Sequence, residues 1–509
     1  MLRPLRWPRR FIMIEQASQL LSLPLLSGLL ALPLGAALLL AVLRNSLWAQ
    51  RLALLATGLT LLLSVAMVLL FDQGRSGFQF VESTSWIPQL NIHYRVGVDG
   101  LSLLFLPATA LLFFAAVIAA WRAVQPASGL YFALLLLFEA ATLGVFCALD
   151  TAFFFFCWEF TLLPLYFLVS LWGEPAQRQS AALRYFFVML GAGVPLFFAF
   201  LLLAFDHSLA GALTFDLPRL LEKPLAGDRQ VLVFLLLLAG FGAKVPLVPL
   251  HTWLPAMAMG APAAITALLV GLKLGVYGLV RFAIPLAPEA AQDLHWLLAG
   301  FGTLGILYGG VAALAQSNLR GMLAYASLSH VGLVLLGLAS FSVAALQGAL
   351  LQLLNFSFAA GGAFLLLSFL QRRTGSTDVA HLGGVVCSMP KLSGFFLLFG
   401  LAAIGLPGTS GFPAELLIIV AALHTHTGAA LAALFGMVLG AGGFLSLYRK
   451  AFFGPVRRPD VAAAEDLRPR EMLVAVVFGL FILGVGLYPA LLLDLLQPAA
   501  AAWVAALGR

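Results

Sequence analysis

GFGAKVPLVPLHTWLP, residues 240–255, sets a lysine at the end of an apolar run and follows it with three prolines. The run, VLVFLLLLAGFGA, is long enough to lie inside a bilayer, and Lys244 closes it. Pro246, Pro249 and Pro255 come next, and a proline lacks the N–H that would bond the carbonyl one turn back. Backbone that leaves the helix at membrane depth is tolerated only where protein or a water-filled cavity satisfies it. An ammonium group there is costly, by roughly 2.5 kcal/mol or more, unless it faces a bundle interior or water. The stretch therefore predicts a polar interior inside a membrane protein.

The rest of the chain agrees. Of 509 residues 62% are hydrophobic and 10% charged, with a mean hydropathy of +1.04. Soluble domains carry about 45–50% apolar and about 25% charged residues. Apolar runs long enough to cross the hydrocarbon core recur along the whole chain, and the alternating ten-residue segments of a β-barrel do not. The expected fold is an all-α polytopic membrane protein. Cys147, Cys157 and Cys387 lack metal-site spacing and read as buried thiols where they fall in spans. No stretch reads as a cleaved leader. The net charge of +7 does not argue for nucleic acid, because cationic loops in such a chain mainly set orientation.

Fourteen spans are expected, near 20–43, 51–71, 99–121, 129–149, 150–172, 182–205, 230–250, 261–285, 294–316, 321–341, 343–370, 391–420, 428–450 and 471–493. The longest polar connections are 72–98, 206–229, 371–390 and 451–470. Fifteen of the 28 Lys and Arg fall on the side holding the loops after the first, third, fifth, ninth, eleventh and thirteenth spans. Eleven fall opposite, four of them Arg3, Arg6, Arg9 and Arg10, so a start at Met13 makes the balance 15 to 7. The rule that places cationic loops in the cytoplasm then puts both termini outside, in the periplasm of a bacterial inner membrane.

Against this apolar background the ionisable residues stand out. Glu139, Glu159, Lys244, Lys273, His330 and Glu415 lie well inside spans, while Asp99, Asp150 and Asp494 lie near span ends. A single such group is readily explained as a helix-locking pair. Glu159, Lys244, Lys273, His330 and Glu415, spread over five spans, form the set that proton or ion transfer requires. A carboxylate 4 Å from an ammonium favours its charged form by about 4 kcal/mol at an effective dielectric near 20. A small movement of Glu159 relative to Lys244 would thus decide whether the lysine keeps its proton, a switch arginine cannot perform.

A second break is expected at LPGTSGFPAELL, where Pro407, Gly408, Gly411 and Pro413 precede Glu415. Lys244 falls in the seventh span and Glu415 in the twelfth; Glu159 falls in the fifth and His330 in the tenth. An offset of five spans brings the two sets into register, and an odd offset inverts topology. The pattern is that of two inverted five-helix repeats, spans 4–8 and 9–13, with sites near the midplane and broken helices at spans 7 and 12. The implied organisation is 1–128 for three N-terminal spans, 129–285 and 294–450 for the repeats, and 451–509 for a loop and the last span.

At these residues the chain resembles a known family. YRVGVDGLS (94–102), FFFFCWEFTLLPLYFLVSLWG (153–173), AKVPLVPLHTWLP (243–255), GLKLGVYGLVRF (271–282), NLRGMLAYASLSHVG (318–332), LPGTSGFPAEL (406–416) and FFGP (452–455) are similar, in order, to the antiporter-like M-type subunits of respiratory complex I. Their wider superfamily takes in the L and N subunits, Mrp cation/proton antiporter subunits and membrane-bound hydrogenase subunits. The resemblance implies that Glu159 modulates Lys244 and that Lys273 is the central lysine. It also implies that His330 is a relay and that Glu415 passes protons outward. It implies redox cofactors (FMN, iron–sulfur clusters, quinone) in partner subunits and none in this chain, with L-like and N-like neighbours, surrounding lipid and protons as the partners.

Three positions depart from the family pattern. Ala256 stands where an acid usually follows HTWLP, Asn318–Gly321 replaces NLKR or DLKR, and Phe356 occupies the place of a span-11 histidine beside Asn355. GILYG (305–309) reads as a close-packing motif. GFGAK lacks the lysine–hydroxyl ending of a phosphate loop. The expected function is proton translocation as the non-redox membrane-arm subunit of an NADH:quinone oxidoreductase. The alternative is a homologous proton-channel or cation/proton antiporter subunit of another assembly, such as an Mrp antiporter, a membrane-bound hydrogenase or an inorganic-carbon uptake complex.

Overall fold

The computed structural model describes residues 24–42, 46–74, 77–121, 127–209, 213–222, 225 and 227–508. The N-terminal arginines and Met13 lie outside the described residues. Among those described, eleven helices are long and apolar enough to cross a membrane, and four further apolar helices run 10–17 residues. The chain is a multi-pass membrane protein built almost wholly of α-helix.

Burial sorts these helices into an interior and a periphery. In Val343–Thr374 every residue of the most apolar window is covered by protein; Ala263–Leu286, Ser128–Cys147 and Leu319–Leu338 are nearly as enclosed. Leu25–Val42, Arg178–Ser208 and Thr427–Phe452 present most of their surface outward. Helices apolar on every side suit this arrangement, since lipid and protein interior are alike to a leucine. Starts are set by capping side chains that accept from otherwise orphaned N–H groups. Asp150 accepts from the Ala152 and Phe153 amides (2.9 and 3.0 Å), Asn318 from Arg320 (2.9 Å) and Ser342 from Ala345 (3.3 Å).

The connection expected as a plain polar loop at 72–98 is a β-hairpin. Gln79–Ile87 pairs antiparallel with Ile92–Val98 across a turn in which Asn91 takes φ 53°. Its Glu82 carboxylate accepts from the Leu26 and Ser27 amides at the start of Leu25–Val42 (2.7 and 3.0 Å), a favourable place for negative charge. A helix at Ala490–Ala506 also follows Pro469–Leu487, so the segment expected as one last span at 471–493 holds a helix end, a turn at Tyr488–Pro489 and a new helix start.

Three interruptions place polar groups in the interior. The Asp228–Lys244 helix ends on Lys244, and the next helix, Trp253–Gly260, begins after a short 3-10 turn at Leu250–Thr252. Two carbonyls at this break find other donors. Gly242, which Pro246 cannot bond, accepts from the Leu247 amide (2.9 Å); Ala243 accepts from the Trp253 indole (2.8 Å). The Pro390–Ala403 helix likewise stops before Gly405, Pro407 and Gly408, and Gly411–Thr425 resumes. Pro255 and Pro413 lie in the first turn of the resuming helices, where the missing N–H would have had no partner.

The third interruption falls where the sequence suggests an unbroken span. Lys273 adopts left-handed geometry (φ 44°, ψ 38°) between Ala263–Leu272 and Leu274–Gly278. For a residue with a side chain this costs roughly 1–2 kcal/mol. The Gly271 carbonyl accepts from Ser357 Oγ (2.8 Å). Gly275 lies against the Lys244–Val245 backbone, where any Cβ would overlap Val245 N. That close approach brings the Lys273 and Lys244 interruptions together.

Candidate functional site

Lys244 and Lys273 line one cavity of about 30 Å³, together with Tyr185, Pro246 and Trp253. That volume holds a water molecule or two, since one needs about 10–15 Å³. Lys244 has no ion pair among the described residues. Its Nζ donates to Thr161 Oγ1 (2.9 Å) and stands 3.9 Å from the centroid of Trp158. Both partners come from the chain around Glu159, one turn or less away, and the desolvated cation–π contact contributes on the order of 2 kcal/mol.

Glu159 itself points elsewhere. Its carboxylate packs on Gly193, where a Cβ would collide with it, and its Oε1 has no hydrogen-bond partner. Beside it opens a groove of about 470 Å³ walled by Trp86, Phe155, Phe156, Phe160 and Phe186. Glu159 and Lys244 therefore sit near one another without forming an ion pair.

Lys273 Nζ donates to Ser327 Oγ on the Leu319–Leu338 helix. The same ammonium lies 5.2 Å from the centroid of Phe356, and that ring also packs on His330, 4.8 Å away at 65°. His330 Nδ1 is 3.9 Å from Glu415 Oε1. That oxygen also accepts from Gln352 Nε2 (3.3 Å). Asn355 accepts from Ser410 Oγ (2.6 Å) and donates to the Ala402 carbonyl (3.4 Å), so it ties the second interruption to the central helix. A cavity of about 40 Å³ adjoins Ser329, His330 and Glu415. Gly405 (φ 71°) passes close to Glu415; a Cβ there would overlap its carboxylate.

Of the five residues expected from sequence, four are thus joined into one line, Lys244–cavity–Lys273–Phe356–His330–Glu415, and Glu159 stands at its side. Sequence reasoning missed Trp158, Thr161, Ser327 and Gln352. For Ser327 alone there was a spacing hint, three residues before His330 on the same helix face. Glu139 is fully buried with neither carboxylate oxygen bonded, and Thr142 Oγ1, one turn on, is likewise unbonded. Asp99 has a partner that the sequence did not suggest. Arg281 grips it with both terminal nitrogens while its Nε donates to Tyr277 Oη (3.2 Å), which in turn donates to the Phe146 carbonyl (3.0 Å).

The chain has relatives among known proteins. The family model described as NADH:quinone oxidoreductase/Mrp antiporter, transmembrane, matches residues 148–440. The chain is 34% identical over 497 residues to the NADH-quinone oxidoreductase subunit M of Rhodobacter capsulatus, covering 94% of this chain and 96% of that one. Among solved structures, a chain of respiratory complex I from Thermus thermophilus with bound NADH superposes with a TM-score of 0.87 at 31% identity, over 96% of this chain and 100% of that one. A chain of the Mrp complex from Dietzia sp. DQ12-45-1b shares the fold, with a TM-score of 0.83 at 23% identity over 95% and 99% of the two chains.

Proposed function

The chain belongs to the NADH:quinone oxidoreductase/Mrp antiporter family as a membrane-arm subunit of the complex I type, and we propose that within it protons travel along Lys244, Lys273, His330 and Glu415. The observation that carries this reading is the continuity of the line. Two lysines share one water-sized cavity, and the second is linked through Ser327, Phe356 and His330 to a carboxylate at another helix interruption.

A proton enters from the cytoplasmic side and rests on Lys244, where Thr161 and Trp158 stabilise the ammonium. Approach of the Glu159 carboxylate would strengthen that hold by about 4 kcal/mol at contact, and its withdrawal lets the proton pass to Lys273. Transfer onward through His330 brings it to Glu415, from which it leaves on the far side. Redox chemistry in partner subunits supplies the energy, with FMN, iron–sulfur clusters and quinone held there and no cofactor bound by this chain. L-like and N-like subunits would flank it.

In this reading Asp228–Lys244 with Trp253–Gly260, and Pro390–Ala403 with Gly411–Thr425, are the halves of two discontinuous spans. They occupy equivalent places in the inverted repeats 129–285 and 294–450, between N-terminal spans 1–128 and a C-terminal segment 451–509. Both termini lie on the periplasmic side of a bacterial inner membrane.

The test is to purify the native complex, identify the partner subunits and measure quinone-coupled proton pumping with wild type and Lys244→Ala. NADH-dehydrogenase partners, with an intact complex that no longer pumps, are the expected result. Undiminished pumping in an assembled Lys244→Ala complex refutes the proton path, and other partners refute the assembly.

A further inference from the structure

The link between Lys273 and His330 contains a group that cannot carry a proton. The Phe356 ring neighbours both, 5.2 Å from the ammonium and 4.8 Å from the imidazole, and a benzene ring neither accepts nor releases a proton. Beside it lies a group that can. Ser327 Oγ accepts the Lys273 hydrogen bond, is itself fully buried, and has no other partner among the described residues, so its own hydrogen is free to be donated. Ser327 and His330 are three residues apart on one helix, which places their Cβ atoms about 5–6 Å apart on the same face.

We propose that Ser327 is the proton relay between Lys273 and His330, and that Phe356 closes the direct line so that the hydroxyl is the way round. The inference rests on the proton path above. In the step, a Lys273 Nζ–H bond breaks as an H–Oγ bond forms on Ser327. The hydroxyl's original O–H bond breaks and its hydrogen passes to a His330 ring nitrogen, directly or over one bridging water. The lysine ends as a neutral amine, the serine is unchanged and the histidine carries the charge. His330 Nδ1 then faces the Glu415 carboxylate at 3.9 Å, ready for the next transfer. Phe356 has a second effect: its π face holds the Lys273 ammonium next to the hydroxyl, so the same ring that blocks one route aims the proton at the other.

The experiment uses the assembled complex in inside-out membrane vesicles and compares NADH-driven pumping per assembled complex in Ser327→Ala, Ser327→Thr, Ser327→Ala/Phe356→His and Lys273→Ala. Ser327→Ala is expected to slow pumping by at least about tenfold, a modest share of what a positioned proton-transfer group contributes. Ser327→Thr, which keeps the hydroxyl, is expected to pump within about threefold of wild type, and an imidazole at 356 is expected to restore the Ala variant, because it can bridge lysine and histidine itself. If Ser327→Ala fails to assemble, Ser327→Cys, which keeps the volume and weakens the donor, is read in its place. Normal pumping in Ser327→Ala with pumping lost in Lys273→Ala overturns the relay and leaves the path standing. Normal pumping in both overturns the path and the relay with it. An assembled double variant no better than Ser327→Ala overturns the role given to Phe356.

Discussion

A methyl group at Gly405 should disable Glu415 without dismantling the helix break that holds it. Gly405 and Gly408 both sit in left-handed geometry, at φ 71° and 91°, within the same interruption. Alanine at either costs roughly 1–2 kcal/mol of backbone strain. Their surroundings differ. A Cβ at Gly408 would meet nothing within 4 Å, whereas one at Gly405 would overlap the Glu415 carboxylate. To regain an ordinary contact of 3.4 Å the carboxylate must retreat by more than about 1 Å, and the His330–Glu415 separation of 3.9 Å changes with it. A misplacement of about 1 Å in a reacting pair can slow the step by a factor of 100. That corresponds to about 2.7 kcal/mol in the barrier. The measurement is NADH-driven proton uptake into inside-out vesicles, normalised to assembled complex, for Gly405→Ala beside Gly408→Ala. The expected outcome is loss on the order of a hundredfold in the first and near-normal pumping in the second. Equal rates in the two variants would refute the placement of Glu415 in the path, because the backbone strain is common to both.

Two further outcomes concern the scaffold. Asp99→Asn leaves the Arg281 guanidinium buried without its counter-charge and should destabilise the folded chain by about 3–5 kcal/mol, read as a lower thermal unfolding temperature of the purified complex. The double variant Asp99→Leu/Arg281→Met should be milder than the single one, and a double variant that is worse would show that the pair is not the source of the loss. Trp253→Phe removes the donor that satisfies the Ala243 carbonyl and should cost about 1–3 kcal/mol locally. Hydrogen exchange at the end of Asp228–Lys244 should then accelerate roughly tenfold to a hundredfold, and unchanged protection would mean that another group satisfies that carbonyl.

The ionisable residues were legible because an apolar chain gives them no camouflage. Lys244, Lys273, His330 and Glu415 could be picked out one by one, and prolines marked two of the interruptions. Their partners were not legible. Thr161, Ser327 and Gln352 are neutral, and a hydroxyl inside a helix ordinarily bonds its own backbone, so nothing in the sequence distinguishes one that reaches across to a lysine. The Lys273 interruption carries no proline; its only mark is the pair Gly271 and Gly275 in GLKLG, and glycine is common in membrane helices for packing alone. The hairpin at Gln79–Val98 escaped because its strands lack a clean alternation of buried and exposed residues and their register shifts between Gln79 and Glu82. Whether Glu159 touches Lys244 depends on side-chain direction, which helical spacing does not determine when a helix is apolar on all sides.

The enclosure of Val343–Thr374 bears on how the bilayer acts on this protein. At 1.5 Å per residue a 32-residue helix is about 48 Å long, well beyond the roughly 30 Å of hydrocarbon. Its ends therefore reach both headgroup layers while its middle, which carries Gln352, Asn355, Phe356 and Ser357, never meets an acyl chain. Changes in lipid length or saturation press on the outward helices, such as Arg178–Ser208 and Thr427–Phe452, and are absorbed there by tilt. The axis that carries these polar side chains is insulated from the membrane it crosses.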